Sequence, residues 1–360
     1  MNRISRLLEF IRWKDWGAGK LPLLMGICFY IGLAERLFSP LYIRDCLLFA
    51  LFAAVSSAYG YLVNDLSDVE VDRRQGKRNA FADWPRPRAV WFIVGLAILG
   101  GALALSFAAR PWFLALWLIW LALSTVYSLP PLRLKEWGSI GLVAPALAQQ
   151  AFPIFIAFAA FGRLGGGLDM WLCAAYTLAK GLSLILLHQR RDLVGDRMTR
   201  TQTFAAQRGE RAVTLAASVA LELEKALLWG ILLLAVQVAP VWSFAGRAIK
   251  PSLPLALLYL PIYLVSLVEG WRGWRKGQLR DPYHGPISGT TGLACVVWPV
   301  IVFPFYMLGL LTAVYPPNGL MLAGFAAFHV PYLSKARHRL VRRRGYLATC
   351  GSGVAREVEK

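Results

Sequence analysis

The chain has 360 residues, of which 57% are hydrophobic and 16% charged, and its formal net charge is +19 at pH 7. So little polar surface cannot cover such a core in water, which excludes a soluble domain and makes lipid the solvent for most of the chain. Backbone groups in lipid must pair within each segment, and the apolar segments lack the alternation of barrel strands. The predicted fold class is therefore all-α, a polytopic membrane helical bundle.

The first 20 residues mix basic side chains such as Arg6 and Arg12 with apolar ones such as Phe10 and Trp13. This mixture is typical of an amphipathic helix lying at the membrane interface, not of a cleaved signal. The predicted domains are an interfacial amphipathic helix (1–20), a transmembrane domain (21–335) and a basic cytoplasmic tail (336–360).

Nine apolar stretches follow that are long enough to cross about 30 Å of hydrocarbon. They lie near 21–38, 43–64, 88–108, 111–128, 139–162, 168–189, 214–239, 252–269 and 291–314. Basic residues crowd the even-numbered connections, which we therefore expect to face the cytoplasm. Because the C-terminal tail is also basic, a tenth short crossing near 318–334 is favoured, with a re-entrant segment in 291–334 as the alternative.

Two acidic clusters stand at the cytoplasmic ends of predicted spans, Asn64 to Asp72 and Asp192 to Asp196. At 100° per residue, Asp65, Asp68 and Asp72 fall within an arc of roughly 60°, so their carboxylates project from one helix face. Magnesium binds a few carboxylates together with substrate phosphate oxygens and water. The two clusters predict a divided magnesium-diphosphate site. Their regular spacing makes the alternative, simple ion pairing with nearby arginines, the weaker interpretation.

Basic side chains flank both clusters and could neutralise a departing diphosphate. Lys77 and Arg78 follow the first cluster, and Arg197 follows the second. The fourth connection adds Arg133 and Lys135 after two adjacent prolines, which end a helix and extend the chain. For any single arginine, a role at the membrane surface is an equal alternative.

Three further polar features each allow two interpretations. Tyr127 would face a carbocation with its ring and a phosphate with its hydroxyl, or it anchors its helix at the interface. His188 lines an acceptor pocket or, as slightly favoured, simply ends the sixth span. Glu222, Glu224 and Lys225 interrupt the seventh span, and a helix end above the bilayer is favoured over a role in the cavity.

Three motifs resemble those of the UbiA superfamily of intramembrane prenyltransferases. Asn64 to Asp72 matches N-D-x-x-D-x-x-x-D, Asp192 to Asp196 matches D-x-x-x-D, and Tyr127 to Lys135 matches Y-S-x-P-P-x-R-x-K. Thr203 to Gly209 is also similar to the T-x-A-x-x-x-G that often follows in that family. The segments after both aspartate motifs depart from the family pattern, which leaves the choice of acceptor open.

The resemblance covers roughly residues 15 to 315 and implies nine helices around a central cavity open to lipid, with or without a tenth short C-terminal helix. It implies that Mg²⁺ serves as the cofactor and that an isoprenyl group passes from a polyprenyl diphosphate to a lipophilic acceptor, aromatic or a quinone precursor. The metal ligands would be Asn64, Asp65, Asp68, Asp72, Asp192 and Asp196. The five aspartates would also be catalytic, together with Tyr127. Diphosphate would contact Lys77, Arg133 and Lys135, to which the charge pattern adds Arg78 and Arg197.

The expected partners are an isoprenyl diphosphate, a lipophilic acceptor and membrane lipids, with no nucleic acid and an open oligomeric state. The expected location is the bacterial inner membrane, with the site facing the cytoplasm. Within the same fold, a terpene cyclase and a polyprenyl-phosphate phosphoribosyltransferase are alternatives. A cation transporter is disfavoured because its carboxylates would lie near the bilayer midplane beside broken helices.

Overall fold

The structure is a computed structural model that describes residues 3–165, 167–198, 201–244, 247–276, 278–284, 287 and 289–330. Its helices are α1 Arg3–Phe10, α2 Trp13–Trp16, α3 Lys20–Ala34, α4 Pro40–Arg74, α5 Arg86–Leu105, α6 Phe113–Ser128, α7 Ser139–Ala160, α8 Leu168–Met198, α9 Phe204–Val238, α10 Leu253–Arg275 and α11 Gly289–Val314. Residues 319–330 form a last helix, α12. A short hairpin, β1 Trp242–Phe244 with β2 Arg247–Ile249, joins α9 to α10 and was not predicted. Short 3₁₀ turns span Leu134–Glu136 and Pro316–Asn318.

Six of the described helices, α4, α5, α7, α8, α10 and α11, are long and apolar enough to cross a membrane. Two more, α3 and α6, are apolar but shorter. The prediction of an all-α, multi-pass membrane protein is therefore confirmed. Each of the nine predicted spans overlaps a helix, but that all nine cross the bilayer stays a prediction.

The helix that carries the first acidic cluster is longer than the bilayer is thick. α4 begins after Ser39, whose hydroxyl accepts a hydrogen bond from the backbone N–H of Tyr42 at 3.3 Å, and Pro40 occupies its first position. The helix has 35 residues, or about 52 Å at 1.5 Å per residue, against about 30 Å of hydrocarbon. Its last turns, which hold the acidic cluster, can therefore stand clear of the hydrocarbon.

Both α7 and α11 contain a π-helical segment close to a proline. Such a segment breaks the regular ladder of hydrogen bonds and leaves carbonyl groups available to other donors. Trp120 Nε1 donates to the Ala148 carbonyl of α7 at 2.7 Å, and Lys180 Nζ donates to the Cys295 carbonyl of α11 at 2.7 Å. These bonds fasten α6 to α7 and α8 to α11.

The N-terminal segment forms two short helices separated at Arg12, where the sequence predicts one helix over 1–20. Phe10 stacks on Trp84 with ring centroids 5.2 Å apart, and Trp13 contacts Phe328 at 5.6 Å. The segment therefore packs against the bundle. The predicted basic tail, 336–360, lies outside the described residues.

The charges on α9 are buried inside the bundle. Glu224 and Lys225 are each 1% exposed, and Lys225 Nζ donates to Glu222 Oε1 and to Ser266 Oγ, both at 2.8 Å. The sequence did not predict this burial; whether these residues lie above the bilayer, as the favoured interpretation has it, stays a prediction. They belong to a polar network between α8, α9, α10 and α11.

Candidate active site

Side chains of the first acidic cluster surround a lysine from the connection between α6 and α7. Lys135 Nζ lies 2.5 Å from Asp68 Oδ1, 2.8 Å from Ser67 Oγ and 3.1 Å from Asn64 Oδ1. Arg133 Nη2 donates to the same Asp68 oxygen at 3.0 Å. Burial lowers the pKa of Lys135, although neighbouring Asp68 acts in the opposite direction. Three oxygens of α4 thus converge on one cationic position, which the Lys135 ammonium group fills.

The other two aspartates of this cluster have different partners. Asp65 is 1% exposed; its Oδ1 accepts from Arg12 Nη1 at 2.7 Å and its Oδ2 from the backbone N–H of Ala80 at 3.1 Å. Asn79 Nδ2 donates to Asp72 Oδ2 and to the Asp65 carbonyl, both at 2.8 Å. On the acidic face predicted from helical periodicity, Asp68 therefore bonds to Arg133 and Lys135, whereas Asp65 and Asp72 bond to a different set of neighbours.

The second acidic cluster lies at the end of α8, and a lysine connects it to the first. Lys77 Nζ lies 3.3 Å from Asp192 Oδ2, while the backbone N–H of the same lysine donates to the Asp72 carbonyl at 2.8 Å. Asp196 Oδ2 accepts from the Thr203 hydroxyl at 2.9 Å. Because one residue contacts both clusters, the two lie at the same end of the bundle within a lysine's reach of each other.

The other predicted site residues, Tyr127, Arg78 and Arg197, lie in three different surroundings. Tyr127, near the end of α6, lies within electrostatic range of Asp68. Arg78 forms an ion pair with Glu9 of α1. Arg197 is exposed and has no ion pair with Asp192 in the part of the chain that the structure describes. Of the five predicted diphosphate-binding side chains, Lys77, Arg133 and Lys135 thus touch the acidic clusters.

Two histidines stand beside the second cluster. His188 Nε2 lies 3.6 Å from Asp192 Oδ2, and the His188 ring stacks on that of His284 with centroids 6.0 Å apart. His284 Nδ1 is 2.8 Å from Asp281 Oδ2. Burial acts to raise the pKa of Asp281, but hydrogen bonds from His284 and from the Tyr283 backbone lower it overall. The connection before α11 therefore reaches the edge of the site, which no motif predicted.

A cavity lies between α3, α4, α6, α7 and α8, below the acidic clusters. Its apolar lining includes Phe49, Phe52, Trp120 and Ile154, and Ser56 adds a buried hydroxyl that has no hydrogen-bond partner among the described residues. Ser57, which also lines the cavity, is seven positions before Asn64, about 10 Å along the helix. The cavity is therefore close enough to the acidic clusters to serve them.

The donor set suits a magnesium ion that is shared with a phosphate ligand. Carboxylate and amide oxygens are the ligands that magnesium takes from proteins, and Lys135 already marks a cationic position enclosed by three oxygens. No group of three or more Asp, Glu, His or Cys side chains within the described residues could hold a metal by itself. A phosphate would have to complete the coordination, as the sequence predicts.

The match to known proteins agrees with this arrangement. The model of the UbiA prenyltransferase family matches residues 22–284. The chain belongs to the UbiA prenyltransferase family. This assignment confirms the family resemblance drawn from the three motifs, since the matched residues include both aspartate clusters and the Tyr127 to Lys135 segment.

Among UbiA relatives, a lycopene elongase/hydratase from Haloarcula japonica is 33% identical over 134 residues, which is 37% of this chain and 44% of the relative. A homogentisate phytyltransferase from Synechocystis sp. is 29% identical over 164 residues, 42% of this chain and 51% of the relative. The chain thus spans about half the length of these two relatives. A UbiA homolog from Archaeoglobus fulgidus, solved bound to DMAPP and Mg²⁺, has a TM-score of 0.57 at 17% identity, covering 85% of this chain and 98% of that one. At this identity the likeness shows that the two share a fold.

Proposed function

We propose that this UbiA family member transfers an isoprenyl group from an isoprenyl diphosphate to a lipophilic acceptor, aromatic or a quinone precursor, within the membrane. The observation that carries the proposal is the convergence of Arg133 and Lys135 on Asp68, with Lys77 joining this cluster to Asp192. Cations and carboxylates alternate at one end of a helical bundle, above an apolar cavity. That combination suits a ligand with a highly charged head and a long apolar tail.

The reaction breaks the bond between C1 of the isoprenyl chain and the diphosphate oxygen and forms a bond from C1 to an acceptor carbon, which then loses a proton. Lys77, Arg133 and Lys135 would bind the phosphate oxygens as negative charge collects on them. Magnesium, held by oxygens of both acidic clusters, would supply further positive charge for the departing diphosphate. Tyr127, within electrostatic range of Asp68, would face the reacting carbon or the leaving group.

The cavity would hold the isoprenyl tail. Most of its lining is apolar or aromatic, although Lys20, Gln149 and Gln150 also line it. An apolar lining would keep water away from the allylic cation. Aromatic faces such as that of Trp120 also stabilise positive charge. Among the relatives, one is named a homogentisate phytyltransferase and one a lycopene elongase/hydratase. The phytyl group and lycopene are both long apolar chains.

The proposal extends to the location of the site and the organisation of the chain. Because basic side chains collect at the end of the bundle that carries both acidic clusters, we place this end on the cytoplasmic side of a bacterial inner membrane. Residues 21–335 would be the catalytic domain, and residues 1–20 would lie at the interface beside it.

Purified protein in proteoliposomes, given labelled geranylgeranyl diphosphate and a panel of aromatic and quinone-precursor acceptors, should form a prenylated product and release diphosphate. EDTA should abolish both, and added Mg²⁺ should restore them. The Asp192→Asn variant is the control for background hydrolysis. A cyclised hydrocarbon formed without acceptor would assign the chain to cyclases, and ion flux without diphosphate release would make it a transporter.

A bulky side chain at Ser56 should discriminate between substrates by tail length. The Ser56→Phe variant fills the cavity, so the KM for geranylgeranyl diphosphate should rise about tenfold more than the KM for dimethylallyl diphosphate. Leu51→Phe, on the same helix at a side chain that is 53% exposed, should change neither value. An equal change in both KM values for Ser56→Phe would remove the cavity from the tail-binding role.

A further inference from the structure

Arg12, in the N-terminal segment, reaches the buried end of the first acidic cluster. Its Nη1 donates to Asp65 Oδ1 at 2.7 Å and its Nε to Asp15 Oδ2 at 2.7 Å. The guanidinium group also lies over the ring of Tyr61, 5.4 Å from the centroid. A single cation thus bridges two carboxylates, one of which, Asp65, is among the predicted metal ligands.

The backbone holds Arg12 in place from both sides. Arg12 has φ 56° and ψ 36°, a left-handed conformation that side chains other than glycine seldom adopt. Phe10, just before it, packs edge-on against Phe81 and Phe92 at 5.7 and 5.3 Å. Trp16, just after it, is 1% exposed and donates from Nε1 to the Ile11 carbonyl at 2.8 Å. Packing on each side therefore compensates for the backbone strain and fixes the guanidinium group against Asp65.

Asp65 and Asp68 differ in exposure and in how many of their carboxylate oxygens accept from these protein donors. Asp65 is 1% exposed, and both of its oxygens accept from protein donors, Arg12 on one and the Ala80 N–H on the other. Asp68 is more accessible, with a side chain that is 16% exposed, and only its Oδ1 receives the Arg133 and Lys135 donors. A buried carboxylate needs a cation beside it, and an arginine is charged at every working pH. Arg12 meets that need without a metal ion.

We propose that Arg12 is a positioning residue of the active site: its guanidinium group takes the place of a metal ion at Asp65, so that metal binding falls to the other oxygens of the two acidic clusters. Asp65 would then orient α4 and the N-terminal segment instead of binding magnesium. This inference rests on the proposed function, since it assigns different roles to the aspartates of the proposed magnesium-diphosphate site.

Binding of Mn²⁺ in the presence of inorganic diphosphate tests directly whether metal binding depends on Asp68 but not on Asp65. In titrations of the full chain followed by electron paramagnetic resonance, Asp68→Asn should weaken Mn²⁺ binding by about 10- to 100-fold, whereas Asp65→Asn should change it by less than about threefold. Equal weakening by both variants would overturn the inference and leave the proposed function intact. Absence of Mn²⁺ binding in the unchanged protein would instead count against the proposed function.

Thermal unfolding of the same protein tests the pairing itself and does not depend on activity. Arg12→Gln and Asp65→Asn should each lower the unfolding midpoint, and the double variant should fall no further than the worse single one, because both remove the same interaction. Arg12→Lys restores the charge but not the two guanidinium donors that reach Asp65 and Asp15, so it should recover only part of the loss. Additive losses in the double variant would contradict the proposed role of Arg12.

Discussion

Isoprenyl transfer by the Asp68→Asn variant should be about 10²- to 10³-fold slower than by the unchanged protein. The Asp68 carboxylate accepts from Lys135 at 2.5 Å and from Arg133 at 3.0 Å, so it positions both cations that would bind the leaving diphosphate. Asparagine keeps the shape of the side chain but removes its charge, which weakens both the metal site and the hold on the two cations. The value of kcat/KM, from diphosphate release at saturating acceptor, measures the effect.

Glu70→Gln is the matched control on the same helix. Glu70 is exposed and pairs with Arg73 and Arg74 at the surface, where ion pairs contribute little. Its kcat/KM and its unfolding temperature should stay close to those of the unchanged protein, the former within about twofold, and Asp68→Asn should remain folded at the assay temperature. A rate for Asp68→Asn as close to normal as that of Glu70→Gln would exclude Asp68 from the reaction.

The helices were predictable because the signal that forms them is local. A run of about 20 apolar residues must bury its backbone in lipid, and each run then becomes a helix whatever its neighbours do. Periodicity also placed Asp65, Asp68 and Asp72 on one side of α4. The β1–β2 hairpin and the break at Arg12 were missed, because each depends on how a short segment packs.

The pairing of each carboxylate in the acidic clusters with its cation could not be predicted in the same way. Which cation faces which carboxylate depends on contacts between distant segments: Arg12 and Asp65 are 53 positions apart, and Lys135 and Asp68 are 67 apart. The family motif includes Lys135, so the resemblance supplied that residue. No motif includes Arg12 or Asn79, and the amphipathic pattern of the N-terminus indicated only a membrane surface.

The burial of Glu224 could not be predicted for a related reason. Charged residues inside an apolar stretch are costly in lipid, so a helix end above the bilayer was the favoured interpretation for Glu222, Glu224 and Lys225. The cost of burying Glu224 is offset by partners on other helices, which only the fold reveals. Ser183 donates to Glu224 Oε2 at 2.6 Å, the Tyr283 hydroxyl donates to Oε1, and Lys180 Nζ lies 3.9 Å from Oε1.

Removal of Glu224 should therefore destabilise the bundle strongly. In Glu224→Ala, Lys180 stays buried without its nearest carboxylate, and the Ser183 and Tyr283 hydroxyls lose their acceptor. Breaking a buried charge pair by removing one partner costs about 3–5 kcal/mol in the free energy of unfolding. Denaturant titration in mixed micelles, followed by tryptophan fluorescence, measures this change.

Two comparisons separate the loss of a buried pair from a general effect of changing α9. Glu210→Ala, on the same helix, removes a carboxylate that is 62% exposed and pairs with Arg190, and should cost no more than about 1 kcal/mol. The double variant Lys180→Met with Glu224→Leu replaces both charges by apolar side chains and should recover most of the stability lost in Glu224→Ala, because no buried charge is left uncompensated. If Glu224→Ala were no less stable than Glu210→Ala, the network around Glu224 would not hold α8, α9 and the connection before α11 together.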